Sequence, residues 1–190
     1  MSSLDGLLGS IQSSALKDIV RHWDAARGDA ILPSFESLQL SALSGPVNRM
    51  WVYRYDGQSK RFTGRLSGDQ ITKAFGKNFS NLPLEEAMTA SDYLWVHRYL
   101  TRVVTEPAIY RSGGNLYRQA GRLIAGERIA LPLADDGLTC DGVLGISDYR
   151  DPHLDGPFEL ITEQEIWLSL RWWVAGGRHD AYRKSPPAED

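Results

Sequence analysis

His97 has more chemistry open to it than any other residue of this 190-residue chain. It stands four positions after Tyr93 and four before Thr101, beside an apolar stripe at helical spacing. A neutral imidazole among apolar neighbours can ligate iron. It can equally sit at the edge of a core and hydrogen-bond to a backbone carbonyl or water. His22, His153 and His179 are scattered and show no metal-ligand spacing. Arg98 and Arg102 are i,i+4 neighbours, suited to an anionic ligand, a partner's carboxylates or a solvated helix face. Cys140 lies mid-strand among apolar residues, the setting of an inert core thiol. "GDQITKAFGK" has the outline of a phosphate loop, but Gly68 and Gly76 are too far apart, and Asn78 follows Lys77 where Ser or Thr is required. There is no G-x-S-x-G, H-E-x-x-H or C-x-x-C, and no spacing ties Ser, His and Asp into a triad.

The elements that must position these residues follow from periodicity. Leu16, Ile19, Val20 and Trp23 recur at i, i+3, i+4 and i+7, which predicts a helix that Gly28 stops. Trp51, Tyr53 and Tyr55 alternate with Met50, Val52 and Arg54 in a strand. Asp56-Gly57 turns that strand into the returning "KRFTGRL". Short helical pieces broken by Gly76, Asn78 and Pro83 follow, then a helix over residues 90–104 with Thr89 or Ser91 as its cap. "AIYRSGG" predicts a short strand. "GRLIAGERIALPL" and "GLTCDGVLGISDY" predict a hairpin about Asp136-Gly137. In "TEQEIWLSLRWWVAGG", Thr162 ahead of acidic residues predicts a final helix. The order is α+β with a mostly antiparallel sheet.

A net charge of −3 gives no electrostatic case for nucleic acid, one cysteine excludes an internal disulfide, and no apolar run is long enough to span a bilayer. No signal peptide is read at the N-terminus. The expectation is a soluble, cytoplasmic protein with neither nucleic-acid nor membrane partners.

Trp23, Arg27-Gly28, Leu32-Pro33, Leu131-Pro132-Leu133 and Asp136-Gly137 form the pattern W-x-x-x-RG, LP, LPL-x-x-DG. This pattern, over residues 15–150, resembles a bacterial stand-alone PAS-like family. The resemblance implies a five-stranded antiparallel sheet in spatial order 2-1-5-4-3, cupping a pocket under the helices between its second and third strands. The stretch "GRLSGDQITKAFGKNF" departs from the family pattern where the pocket wall falls, so ligand identity does not carry over. The family supplies no fixed catalytic residues. In haem-binding PAS proteins a histidine on the corresponding helix holds the iron, so the resemblance makes His97 a haem-ligand candidate. The flavin-adduct motif of PAS photosensors is absent.

Four segments are expected: a tail and amphipathic helix over 1–28, a PAS-like sensor domain over 29–150, a C-terminal loop and helix over 151–181, and a disordered tail over 182–190. The candidate pocket comprises Ile129, Leu131, Leu144 and Ile146, with Tyr93, His97 and Leu100 at its rim. The candidate interface comprises Leu16, Ile19, Val20, Trp23, Trp167, Trp172 and Trp173, suited to a homodimer. No metal or cofactor is expected. The function expected is a non-catalytic sensory and protein-interaction module in bacterial signal transduction, with a small-molecule ligand and an unidentified signalling partner. The alternatives are a haem sensor using His97 and a small enzyme on the same fold.

Overall fold

The computed structural model describes residues 3–43, 46–150, 158–170 and 182–184. Helices α1 (Ser3–Ser10) and α2 (Ser14–Ala26) lead the chain. Strands β1 (Met50–Asp56) and β2 (Arg61–Ser67) form a hairpin, followed by α3 (Asp69–Phe75), α4 (Leu84–Ala87) and α5 (Ala90–Thr105). Strands β3 (Ala108–Gln119), β4 (Arg122–Leu133) and β5 (Gly142–Tyr149) form a meander, and β6 (Phe158–Leu160), β7 (Gln164–Ser169) and β8 (Tyr182–Lys184) follow. The sheet runs β2-β1-β5-β4-β3-β7-β8, with β6 also on β3, and its pairings are antiparallel. Its first five positions are the expected 2-1-5-4-3 order.

Two layers cover this sheet, and period-two alternation sorts its side chains between them. On the outer face, Met50, Val52, Ile109, Ile129, Leu131, Leu144 and Ile146 pack with Leu16, Ile19, Val20 and Trp23 of α2. On the inner face, Trp51, Tyr53, Phe62, Tyr110, Ala130, Val143 and Trp167 pack with Val96, Tyr99, Leu100 and Val103 of α5. The stripe on α2 is therefore intramolecular core. Leu16, Ile19, Val20 and Trp23 are all 0% exposed, so they offer no face to a second copy. Burying four such side chains contributes roughly 6–12 kcal/mol before conformational entropy is charged against it.

The sequence pattern proves to be the clasp that holds α2 there. The Trp23 indole N–H donates to the Pro132 carbonyl at 2.8 Å. Leu32 N donates to Gly137 O, and Ala134 N donates to Pro33 O. The LP segment thus runs beside the β4–β5 loop, where Gly137 holds φ +75° and Asp136 Oδ1 accepts from Leu138 N and Thr139 N.

The C-terminal region differs from expectation. Residues 164–169 form strand β7, not a helix, and pair with β3 from Ala108↔Ser169 to Gly113↔Gln164. Ile166, Leu168 and Leu170 alternate with Trp167 and Ser169, and the β3 edge needs covering; together these outweigh the capping pattern at Thr162. Trp167 is buried on the inner face, 4.7 Å from the Tyr110 ring and under the Arg102 guanidinium, so it is core and not interface. Trp172 and Trp173 lie outside the described residues. Tyr182–Lys184, expected as disordered tail, add strand β8 to β7.

Candidate functional site

Residue parity on β4 and β5 creates the site. Ile129 and Leu131 face α2, so Arg128 and Ala130 must face α5. On β5, Ile146 faces α2, so Gly145, Ser147 and Tyr149 face α5. The register sets Arg128 opposite Ser147. On the neighbouring strand Trp51 lies opposite Gly145. A Cβ on Gly145 would stand 2.0 Å from the Trp51 ring, so only glycine lets the indole lie flat on the strand.

The result is a hydrogen-bonded cluster inside an aromatic box. Ser147 Oγ accepts from Trp51 Nε1 at 3.0 Å and from Arg128 Nε at 3.2 Å. Arg128 Nη2 donates to the Tyr149 hydroxyl at 3.3 Å. The guanidinium lies 5.8 Å from the Trp95 ring. Tyr99 stacks on Tyr110 at 4.7 Å, and Tyr53 stacks on Phe79 at 5.3 Å. Burial raises the Tyr53 and Tyr99 hydroxyls well above the ordinary phenol range, so both stay protonated.

A cavity of about 20 Å³, room for one water-sized body, lies among these groups. The sheet lines it with Trp51, Tyr53, Arg128, Ser147 and Tyr149; α3, α5 and the loops beside them bring Ile71, Phe75, Phe79, Met88, Val96 and Tyr99. Among the described residues that line it, Arg128 is the only charged one, and it is 3% exposed. Two of the lining polar atoms, Arg128 Nη1 and the Tyr53 hydroxyl, are buried with no hydrogen-bond partner among the described residues. No carboxylate among the described residues forms an ion pair with Arg128.

The back of the same two strands carries the opposite charge. Glu127 and Asp148 are register partners on the outer face. Glu127 pairs with Arg111 and accepts from the backbone N–H groups of Gln12 and Ser13. Burial pulls its carboxyl upward, but the Ser13 N–H, the Arg111 guanidinium and the Gln12 N–H outweigh this and hold it below the ordinary range. Asp148 accepts from Ser13 Oγ at 2.6 Å and from Arg49 Nη1 at 2.7 Å. Ser13 is also the N-cap of α2, accepting from Leu16 N. The polar cluster of the cavity and the anchor of α2 are thus two sides of one pair of strands.

The expected pocket residues do not come together. Ile129, Leu131, Leu144 and Ile146 do share a face, and each is 0% exposed, but that face is the outer one. The sheet separates them from Tyr93, His97 and Leu100. Leu100 is in the inner core without lining the cavity. His97 is half-buried outside the cavity, its Nε2 3.1 Å from the Lys60 carbonyl and its ring edge-on to Phe62. These residues do not fit a haem: among the described residues that line the cavity there is no histidine to hold the iron. Among the described residues, no group of His, Cys, Asp and Glu could hold a metal ion. Cys140 lies in the β4–β5 loop and not mid-strand as expected, and burial pushes its pKa up to about 12.

The residues missed are Trp51, Tyr53, Arg128, Ser147 and Tyr149. Their signal was available as Arg128 in the middle of an apolar strand, in parity with Ser147 and Tyr149 of the paired strand.

No described helix is long and apolar enough to cross a membrane. A family model described as PAS domain matches residues 11–147. Neither the curated proteins nor the solved structures give a significant match. The matched span exceeds half of the chain and runs from the α2 anchor through the helical cover to Ser147, and on that ground the chain belongs to the PAS domain family.

Proposed function

We propose that this chain is a non-catalytic, cytoplasmic sensory module of bacterial signal transduction. It binds a small molecule in the inner-face cavity and reports occupancy through α2 to another protein. The observation that carries this reading is the back-to-back arrangement of the Arg128–Ser147–Tyr149 cluster and the Glu127–Asp148 anchor. A ligand that shifts Arg128 relative to Ser147 alters the β4–β5 pairing, and the same two strands hold the first turn of α2. A few tenths of an ångström at a charge-assisted contact suffices to bias two arrangements of the helix.

The cover is built to open. Helices α3 and α4 have seven and four residues, too short to persist without tertiary support. Met88 and Phe75 close the cavity from that side, and methionine repacks readily. A ligand larger than water enters by displacing this cover, and binding energy then selects the displaced arrangement. Catalysis has no comparable support: no residue in the wall is a nucleophile paired with a base.

Native mass spectrometry of protein purified from cells, combined with hydrogen exchange, tests the reading. The expected result is a non-covalent adduct that organic extraction removes, with exchange at Gln12–Leu16 differing between loaded and stripped protein. A chain of bare mass whose exchange is unchanged by extraction would contradict it.

A further inference from the structure

Arg128 poses a physical problem that the fold does not solve. Its guanidinium is charged at every physiological pH and almost wholly buried, yet its partners are neutral: two hydroxyls and an indole face. The carboxylate on this face, Glu165, accepts from the Tyr110 hydroxyl and forms no ion pair with Arg128, and a buried cation without a paired anion costs several kcal/mol. Hydroxyl parity sharpens the point. Ser147 Oγ already accepts two hydrogen bonds, which leaves its own proton to donate. The Tyr149 hydroxyl accepts from Arg128 Nη2, so its proton is likewise directed elsewhere. Add Arg128 Nη1 and the Tyr53 hydroxyl, which have no partner among the described residues, and the cavity wall offers four donors and one positive charge, with no carboxylate among its described lining residues.

We infer that the cavity binds a small monocarboxylic acid with an apolar body, its carboxylate on Arg128 Nη1 and the Tyr53 hydroxyl and its body against Phe75, Phe79, Met88 and Tyr99. This deepens the sensory reading above and rests on it. One guanidinium matches one negative charge, and no second cation stands among the described lining residues to favour a phosphate dianion. Aromatic and thioether walls suit a planar or short aliphatic body. Ser147 ties the acid to the sensor strand: a carboxylate that draws Arg128 toward it pulls on a hydroxyl shared with Trp51.

The test is calorimetric titration of the purified, extracted protein with three acids, acetate, butyrate and benzoate, and with their neutral isosteres acetamide, butyramide and benzamide. The expected result is that at least one acid binds about 10- to 100-fold more tightly than its amide, the difference a charged hydrogen bond supports. Arg128→Met erases that preference, and Tyr53→Phe, which removes a hydroxyl with no hydrogen-bond partner among the described residues, weakens acid binding several-fold and amide binding less, because the hydroxyl donates more strongly to a carboxylate than to a neutral carbonyl. Acid and amide binding alike would overturn the anion assignment while leaving the cavity as a ligand site. Binding of none of the six, from a protein that nonetheless carries an extractable neutral adduct, would overturn it too. Should Arg128→Met fail to fold, Tyr53→Phe decides, and an undiminished acid preference there counts against the assignment.

Discussion

Arg111 and Arg128 sit in the same sheet, each nearly buried, on opposite faces. Arg111 meets Glu127, which also gathers the N–H groups ahead of α2; its charge is answered within the chain even though its Nε lacks a partner. Arg128, one residue along from Glu127, turns to the other side and meets hydroxyls and rings. The outer face therefore behaves as structure, with charge compensated and aliphatic side chains filling the space. The inner face keeps Arg128 without an ion pair among the described residues, beside a cavity, while the carboxylate on that face, Glu165, accepts from the Tyr110 hydroxyl. Alternation along two strands is enough to build a holding surface and a binding surface back to back.

The comparison can be broken most severely on the outer face. Ile19→Asp places a carboxylate among fully buried aliphatic residues and is expected to cost more than about 4 kcal/mol, enough to unfold the domain. Circular dichroism would show lost structure; a folded protein of altered oligomeric state would mean that the stripe is an interface after all. Next comes Glu127→Gln, which strands Arg111 and releases the α2 anchor at a cost of about 3–5 kcal/mol by denaturant melting. The sign of its pH dependence follows from the lowered carboxyl. Because the folded pKa lies below the ordinary value of 4.5, the stabilisation is complete above that value and is lost as pH falls through the folded pKa. The natural chain should lose stability more steeply than Glu127→Gln below pH 4.5. Least consequential is His97→Ala. It removes one partly exposed hydrogen bond to Lys60 O and an edge contact to Phe62, so its expected cost is about 1 kcal/mol, with no change in acid binding.

These two faces were not equally legible in the sequence. The succession of elements along the chain, the α5 span and the β4–β5 turn followed from alternation, capping residues and Asp136-Gly137, because local geometry dictates them; the spatial order of the strands came only with the resemblance to the PAS-like family. The face assignment did not. With α2 on one side and α5 on the other, both faces are buried, so Ile129 and Leu131 carry no mark of which side they serve. Trp23 is the same case: an amphipathic stripe demands a partner surface but does not say whether that surface lies in the same chain. At the C-terminus, Thr162 and its acidic neighbours offered a helix start, while the competing signal, an uncovered β3 edge, exists only once the sheet is assembled. The polar cluster was invisible for a related reason. Arg128, Ser147 and Trp51 become neighbours only through the pairings of three strands.

One paired measurement tests most directly the claim that Arg128 is kept for a ligand and Arg111 for the fold: denaturant melting of Arg111→Met and Arg128→Met, side by side at neutral pH in extracted protein. The account predicts that Arg111→Met loses about 3 kcal/mol or more, since it leaves Glu127 buried without its cation. Arg128→Met should be as stable as the natural chain or more so, because it removes a buried charge that forms no ion pair among the described residues. An Arg128→Met variant destabilised as much as Arg111→Met would contradict the account and make Arg128 a structural residue of the inner core.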